Sequence, residues 1–359
     1  MAALLDFYKN KRILLTGHTG FKGAWLSKVL LCAGAEVTGY ALPAEPGSLS
    51  DLLGLAEQIN FIEGDIRDLG HLQQVFQTAR PEIVFHLAAQ PLVRESYRDP
   101  VGTYSTNVMG TVNLLECVRT CDRVRSVVNI TTDKVYDNQE WSWGYRETDR
   151  LGGYDPYAGS KACSELVTQS YIHSFLQEQN VAVSTARAGN VIGGGDLARD
   201  RIIPDCIRAA KRGQPILLRN PNSVRPYQHV LEPLSAYLLI AKVQYEDRQK
   251  SGAYNIGPLV EDCLTTKALA EAFCSCWGDG ARWYTEKVSG PHESGCLRLD
   301  CSLIWEQLGW RPQWNIQTAV ERTVEWTKAV DAGQDARIVT DRQIQEYFDN
   351  DPSAEALYG

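Results

Sequence analysis

Tyr157 and Lys161 stand four residues apart, so on a helix a phenol and an ammonium share one face. A positive charge beside a phenol lowers its pKa from about 10 and makes it a usable base near neutrality. The bland alternative, a half-buried tyrosine and a solvated lysine on an amphipathic helix, fits the same spacing. A second group lies upstream, where an apolar run ends in Asn129-Ile130-Thr131-Thr132-Asp133-Lys134. Thr132 offers a hydroxyl to a substrate oxygen, while Asp133 and Lys134 are titratable groups just beyond it. Their bland alternative is a polar strand end with a surface ion pair.

Both groups need a scaffold that holds them at one crevice. Between Lys11 and Gly189, short apolar runs alternate with helical segments: Arg12–Thr16, Glu36–Leu42, Asn60–Gly64, Ile83–Leu87, Ser126–Thr131 and Ala182–Ala186. Most are continuously apolar, as strands buried on both faces are, which predicts an α/β fold: a Rossmann-type doubly wound parallel sheet with helices on both sides. In such sheets ligands bind outside the carboxyl ends of the strands. After Asn190 the pattern turns to Gly and Pro punctuation, with helices expected near 202–212, 232–246, 264–277 and 317–330. This predicts a nucleotide-binding domain over 1–189, a strand near 252–257 returning to it, and a smaller, partly interleaved substrate-binding domain over 190–359.

The first apolar run enters Thr16-Gly17-His18-Thr19-Gly20-Phe21-Lys22-Gly23 and then a helix. A strand, a glycine turn and a helix N-terminus present backbone N–H groups and a positive dipole end to a pyrophosphate. Gly17, Gly20 and Gly23 permit the tight turn, the approach of phosphate and the packing of helix on strand. The dinucleotide expected is NAD, although the second run, ending Tyr40-Ala41-Leu42, lacks the acidic residue that usually grips the adenosine ribose. It also lacks an arginine for a 2′-phosphate. Asp65, in Gly64-Asp65-Ile66, is placed for the adenine edge, and weak retention of the cofactor is expected.

The 359 residues carry 36 basic and 44 acidic side chains, a net charge of −8, which argues against nonspecific nucleic-acid binding. No apolar stretch approaches the ~18 residues of a membrane span, and charges at Asp6, Lys9, Lys11 and Arg12 interrupt any signal-peptide core. A cytoplasmic protein is expected. The ten scattered cysteines read as reduced thiols without metal-ligand spacing, and no metal is expected. His86, inside an apolar run, reads as a satisfied core histidine.

In this order the motifs resemble those of the extended short-chain dehydrogenase/reductases, nucleotide-sugar dehydratase branch. They are the glycine loop at 16–23, Gly64-Asp65-Ile66, His86-Leu87-Ala88-Ala89-Gln90, Asn107-Val108-Met109-Gly110-Thr111, Thr132-Asp133-Lys134, Tyr157 with Lys161, and Arg187-Ala188-Gly189-Asn190. Arg225-Pro226-Tyr227-Gln228-His229-Val230, Tyr254-Asn255-Ile256-Gly257 and Leu308-Gly309-Trp310 continue the match. Many such dehydratases read Thr-Asp-Glu; lysine at 134 is expected in the CDP-glucose branch. His18 and Lys22 depart from the usual glycine and apolar residue of the loop.

The resemblance implies Thr132, Tyr157 and Lys161 as the hydride-transfer triad, with Asp133 as acid and Lys134 as base for the loss of water. It also implies NAD lined by Gly17, His18, Gly20, Phe21, Lys22, Gly23, Asp65, Ile66, Ala88, Ala89 and Gln90, with Asn107 supporting the helix behind the site. Asn190, Arg225 and His292 would meet a nucleotide-diphosphate sugar. The implied reaction is the dehydration of CDP-glucose to its 4-keto-6-deoxy form, an early step toward CDP-linked deoxy sugars of bacterial surface polysaccharide. A homodimer built through a four-helix bundle near 102–119 and 157–178, with Val108, Val112 and Leu115 as apolar positions, is implied as well; a tetramer is the larger alternative. A nucleotide-sugar 4-epimerase, or a noncatalytic NAD-binding protein, stays open on the residues alone.

Overall fold

Runs that are apolar on both faces become strands whose neighbours satisfy their backbone and whose side chains feed two layers. The computed structural model describes residues 2–286 and 294–349. In it the runs fold as β1 (Arg12–Thr16), β2 (Glu36–Ala41), β3 (Asn60–Glu63), β4 (Ile83–His86), β5 (Ser126–Ile130) and β6 (Ala182–Ala188). A seventh strand, β7 (Ala253–Ile256), pairs in parallel with β6 at the sheet edge. The strand order is β7-β6-β5-β4-β1-β2-β3, parallel throughout. The chain reverses its direction of winding between β1 and β4, where Thr16 stands in register with His86. That switch point is where a doubly wound sheet opens a crevice.

Alternate strand residues enter opposite layers. Ile13 and Leu15 join Trp25, Leu26 and Val29 of α1 (Phe21–Cys32) in one core, whereas Leu14 and Val84 join Leu72 and Phe76 of α2 (Leu69–Ala79) in the other. The second layer also holds α3 (Gly110–Arg119). Leu115, expected on an intersubunit face, is instead buried in this layer beside Leu114 and Val118, because α3 turns that stripe toward its own sheet. α4 (Pro156–Tyr171) follows β5 after a long loop and carries Tyr157 and Lys161.

Beyond β6 come α5 (Ile202–Lys211), α6 (Leu231–Glu246), α7 (Ile316–Asp331) and α8 (Ala336–Asp349). α6 packs on the sheet: Ser126 Oγ donates to Ala241 O at 2.9 Å and Gln244 Nε2 donates to Val127 O at 2.9 Å. A third core gathers Ile203 and Cys206 of α5, Ile216 and Leu218 of a short strand, Phe273, and Val320 of α7. This smaller cluster supports the wall facing the sheet's carboxyl edge. The ten cysteines are free thiols. Among the described residues no helix is long and apolar enough to cross a membrane.

Candidate active site

The carboxyl ends of β1, β4 and β5 open into a crevice of about 1950 Å³, closed on its far side by segments 189–205 and 217–225. At its floor Gly17 adopts a left-handed φ of 74°. A side chain there would strike the backbone of Ala88 at 2.6 Å, and one at Gly23 would strike Gly17 O at 2.2 Å. At Gly20 the same addition meets only Gly17 O, at 3.5 Å. Gly20 also precedes α1 without offering a side-chain cap, so the first-turn N–H groups of α1 are left for another acceptor. A tight turn with open amides at a helix N-terminus fits a dinucleotide pyrophosphate.

Over this floor stand the groups with chemistry. Asp155 caps α4 by accepting from Ala158 N at 2.8 Å, and Pro156 opens the helix, which fixes Tyr157 in the first turn. Burial pushes the Tyr157 phenol up to about 12, the Thr132 hydroxyl working against it. Lys161 Nζ donates to Ile130 O at 3.0 Å, and burial lowers its ammonium to about 8. Sequence reasoning expected the lysine charge and an oxidised nicotinamide together to lower the tyrosine; in the protein alone burial sets the direction, upward. A phenol pushed upward needs an added positive charge in the crevice before it becomes a base.

Asp133 is fully buried. Its Oδ1 accepts from Thr132 Oγ1 at 3.0 Å and from Lys134 Nζ at 2.9 Å. Lys134 Nζ also donates to Asn190 Oδ1 at 3.2 Å. Asp133 Oδ2 has no hydrogen-bond partner among the described residues. The strand end therefore holds a coupled carboxylate and ammonium that reach the crevice through Lys134 and Asn190.

The frame behind these residues is ionic. Glu165, one turn beyond Lys161, makes a fully buried pair with Arg187 of β6, Arg187 Nη2 to Glu165 Oε2 at 2.8 Å. Glu165 Oε1 also accepts from Thr131 Oγ1, beside Thr132, at 2.5 Å, and Oε2 from Thr185 Oγ1 at 2.8 Å. Asn107 is buried as well. It holds Gln90 N through Oδ1 at 2.8 Å and donates to Ser160 Oγ on α4 at 2.8 Å.

Gly17, Gly20, Phe21, Lys22, Gly23, Asp65, Ile66, Ala88, Ala89, Thr132, Lys134, Tyr157, Lys161, Asn190 and Arg225 line the crevice. Three expected contacts do not: His18, Gln90 and Asp133, whose carboxylate is fully buried against Thr132 and Lys134. The His18 ring turns away from the crevice to sit edge-on to Phe61 at 5.0 Å, over Gly39. The left-handed turn at Gly17 carries it into the interior, so only its backbone remains with the loop. Gln90 folds its amide onto Leu92 O and Thr103 Oγ1, closing its own loop rather than meeting a cofactor. Arg225 lines the wall while donating to the carbonyls of Val224 and Ser294. His292 lies outside the described residues.

Sequence reasoning missed several arginines of the crevice, Arg67, Arg94 and Arg219 among them. Arg67 grips Asp65, with Nε at 3.0 Å from each carboxylate oxygen; the Asp-x-Arg spacing was the available signal. Arg94 and Arg219 also line the crevice and meet at Asp200, a convergence with no local signature. Lys22, though expected, is placed unexpectedly: its Nζ donates to Tyr237 Oη at 3.2 Å. Burial, with Arg201, Lys161 and Lys134 adding to it, lowers Lys22 to about 7.

Residues 14–323 match the family model described as GDP-mannose 4,6 dehydratase. The chain belongs to the GDP-mannose 4,6 dehydratase family. Within reach of that family it is 48% identical over 351 residues to the CDP-glucose 4,6-dehydratase of Salmonella typhimurium, covering 96% of this chain and 98% of that protein. Among solved structures it resembles the dTDP-glucose 4,6-dehydratase DesIV of Streptomyces venezuelae, solved with NAD bound. The TM-score is 0.77 at 27% identity, over 88% of this chain and 96% of that one. A UDP-glucose 4-epimerase of Thermotoga maritima matches at TM-score 0.77 and 24% identity, over 87% and 97%, a likeness of fold alone. The family resemblance read from the motifs and the Rossmann-type sheet both stand.

Proposed function

We propose that this chain is a CDP-glucose 4,6-dehydratase that converts CDP-glucose to CDP-4-keto-6-deoxyglucose, feeding CDP-linked deoxy sugars of lipopolysaccharide and O-antigen type. The observation that carries the reading is the Asp133–Lys134 pair beside Thr132, Tyr157 and Lys161, an acid–base couple next to a redox triad. The 48% identity to a CDP-glucose 4,6-dehydratase supports the base and the sugar.

The glycine cradle, with Ile66, Ala88 and Ala89, would hold NAD. Held there, that cofactor supplies a hydride acceptor for sugar C4 and a hydride donor for C6. Tyr157 takes the O4 proton while Thr132 orients the sugar hydroxyl. Lys161 keeps positive charge behind the phenol.

Elimination of water needs a base at C5 and an acid at the C6 oxygen. The 4-ketone makes the C5 proton acidic, since the carbanion delocalises as an enolate. Asp133 and Lys134 together hold one mobile proton, and moving it from ammonium to carboxylate gives a neutral amine beside a carboxylic acid. That tautomer has the base and the acid the step requires. When Lys134 removes the C5 proton and Asp133 protonates the leaving hydroxyl, the ion pair returns. A 4-epimerase needs no such couple, which favours dehydration.

The helices at 100–119 and 156–176 leave Val101, Tyr104, Met109 and Leu166 exposed, and on this reading they meet a second copy as a four-helix bundle. The experiment for the activity is mass spectrometry of CDP-glucose incubated with the protein and NAD. A product lighter by one water, with a C4 deuterium carried to C6, supports the reading. Label in solvent or an unchanged mass overturns it.

A further inference from the structure

One row of the sheet changes character just below the crevice. Leu14, Val84, Val127 and Val183 stand in register across β1, β4, β5 and β6, all buried in the core shared with α2 and α3. Two residues nearer the carboxyl edge, on the same face, the register reads Thr16, His86, Asn129 and Thr185, and all four are again buried. A polar row at this depth costs stability unless its hydrogen bonds are made. Packing alone would be served by repeating the apolar row.

The hydrogen bonds form a directed path through the His86 ring. Thr16 Oγ1 accepts from Ala88 N at 3.2 Å and lies 2.8 Å from His86 Nδ1. Its single proton goes to Nδ1, which assigns the ring proton to Nε2, 3.4 Å from Thr111 Oγ1 of α3. Thr111 Oγ1 gives its own proton to Asn107 O at 2.7 Å, so it is free to accept from the ring and from Ser164 Oγ of α4 at 2.9 Å. Asn129 Nδ2 donates to Ser164 Oγ at 3.1 Å. Burial, with the Lys161 charge adding to it, lowers His86 to about 3. The ring therefore stays neutral and keeps one donor and one acceptor.

Both ends of the path hold the loop at 88–90. Ala88, at one end, lies so close to Gly17 that a side chain there would strike its backbone at 2.6 Å. Asn107, at the other, holds Gln90 N through Oδ1 at 2.8 Å and Gln90 O through Nδ2 at 3.1 Å. Its Nδ2 also reaches Ser160 Oγ on α4 at 2.8 Å, and Ser160 Oγ donates to Tyr157 O at 2.7 Å. The loop and the helix of Tyr157 and Lys161 are thus joined by Asn107 and by the row that runs through His86.

We propose that His86 is a positioning residue for the hydride step, its ring the spacer that sets the distance between the loop at 88–90 and the helix carrying Tyr157 and Lys161. The inference rests on the reading of Tyr157 and Lys161 as the pair that oxidises sugar C4 on NAD. His86 does not line the crevice and acts through Thr16 and Thr111. An apolar ring of similar size fills the space and holds neither hydroxyl, and a displacement of about 1 Å at a reacting group costs about a hundredfold in rate. A glutamine amide offers an acceptor to Thr16 and a donor to Thr111, and so restores the path.

The test compares His86→Phe with His86→Gln in the whole protein, at a temperature where each is folded by circular dichroism. Reduced-nicotinamide absorbance on mixing with saturating NAD and CDP-glucose reads C4 oxidation. His86→Phe is expected to slow it about 30–100-fold, and His86→Gln to stay within about fivefold of the parent. NAD affinity, read by fluorescence titration, is expected to change less than about threefold in either. Thr111→Val is the second variant should His86→Phe not fold, with the same expected direction, and adding it to His86→Phe is expected to lose nothing further. A parental rate in His86→Phe, a loss that glutamine does not restore, or a loss that raising NAD abolishes overturns the proposal.

A second readout needs no sugar. The phenolate absorbance that Tyr157→Phe removes is titrated with NAD bound. Its midpoint is expected to lie about one pH unit higher in His86→Phe than in the parent, because the phenol stands farther from the cofactor's positive ring. A parent that oxidises none of CDP-, UDP-, dTDP- or GDP-glucose overturns the reading of the activity, and the midpoint then decides on His86 alone: if it has not moved, the ring is no spacer.

Discussion

Lys134 Nζ lies 2.9 Å from Asp133 Oδ1, the contact of an ammonium with a fully buried carboxylate. One proton is thus shared by the two groups that the elimination of water asks to be an acid and a base. Removing either member removes the reactive tautomer. Asp133→Asn and Lys134→Gln are each expected to slow product formation by about 10²–10⁴-fold. The double variant is expected to lose no more than the worse single one. C4 oxidation survives in all three, so reduced-nicotinamide absorbance on mixing with substrate is the check; its disappearance in Lys134→Gln would place the lysine in the first step instead.

Lys22 is held to about 7 by burial and by the cations around it. Below that value it is an ammonium in a crevice that must also accept the positive ring of an oxidised cofactor; above it the repulsion fades. NAD⁺ affinity is therefore expected to rise as pH increases through about 7, with little matching rise for NADH. Lys22→Met is expected to tighten NAD⁺ about tenfold at pH 6 and to flatten the pH dependence. Fluorescence titration across pH checks both statements.

Three buried rings set an acid limit on stability. Burial lowers His18 to about 4 and His86 and His229 to about 3. Each takes up a proton on unfolding once the pH falls below the ordinary value of about 6.5, so each favours the unfolded chain from there down to its folded value. The expected slope is about 1.4 kcal/mol per pH unit for each ring. Urea unfolding between about pH 6 and about pH 4.5 should show His18→Leu losing one such increment of slope.

The sequence made the scaffold legible because burial on both faces writes itself as continuous apolar runs, and β1 and β4 begin and end within a residue of those runs. It also made Thr132, Tyr157 and Lys161 legible, since two lie on one helix face and the third at a strand end. It misled at His18 and Gln90, where a loop motif names a residue without saying which side of the turn its ring or amide faces. Arg94, Asp200 and Arg219 were invisible for another reason. They come from three distant segments, and no spacing records a meeting that only the folded chain creates.

The pair Glu165–Arg187 can be probed by removing one member. Glu165→Gln leaves a guanidinium buried with its charge uncompensated, and the expected loss is about 3–5 kcal/mol in urea unfolding. Glu165→Leu/Arg187→Met, which removes both charges, is expected to be less harmful than the single change. If the single variant is as stable as the parent, the pair does not anchor α4.

The buried pair ties α4, Thr131 and β6 into one block, and every atom the reaction uses on that side moves with it. Among the described residues no ion pair buried on both sides holds the facing wall, where Arg219 and Asp200 make partly exposed contacts and Arg201 meets the buried Asp196. The reacting side chains of α4 and the end of β5 therefore rest on ties that water does not reach, and their spacing is expected to hold while the partly exposed contacts across the crevice rearrange.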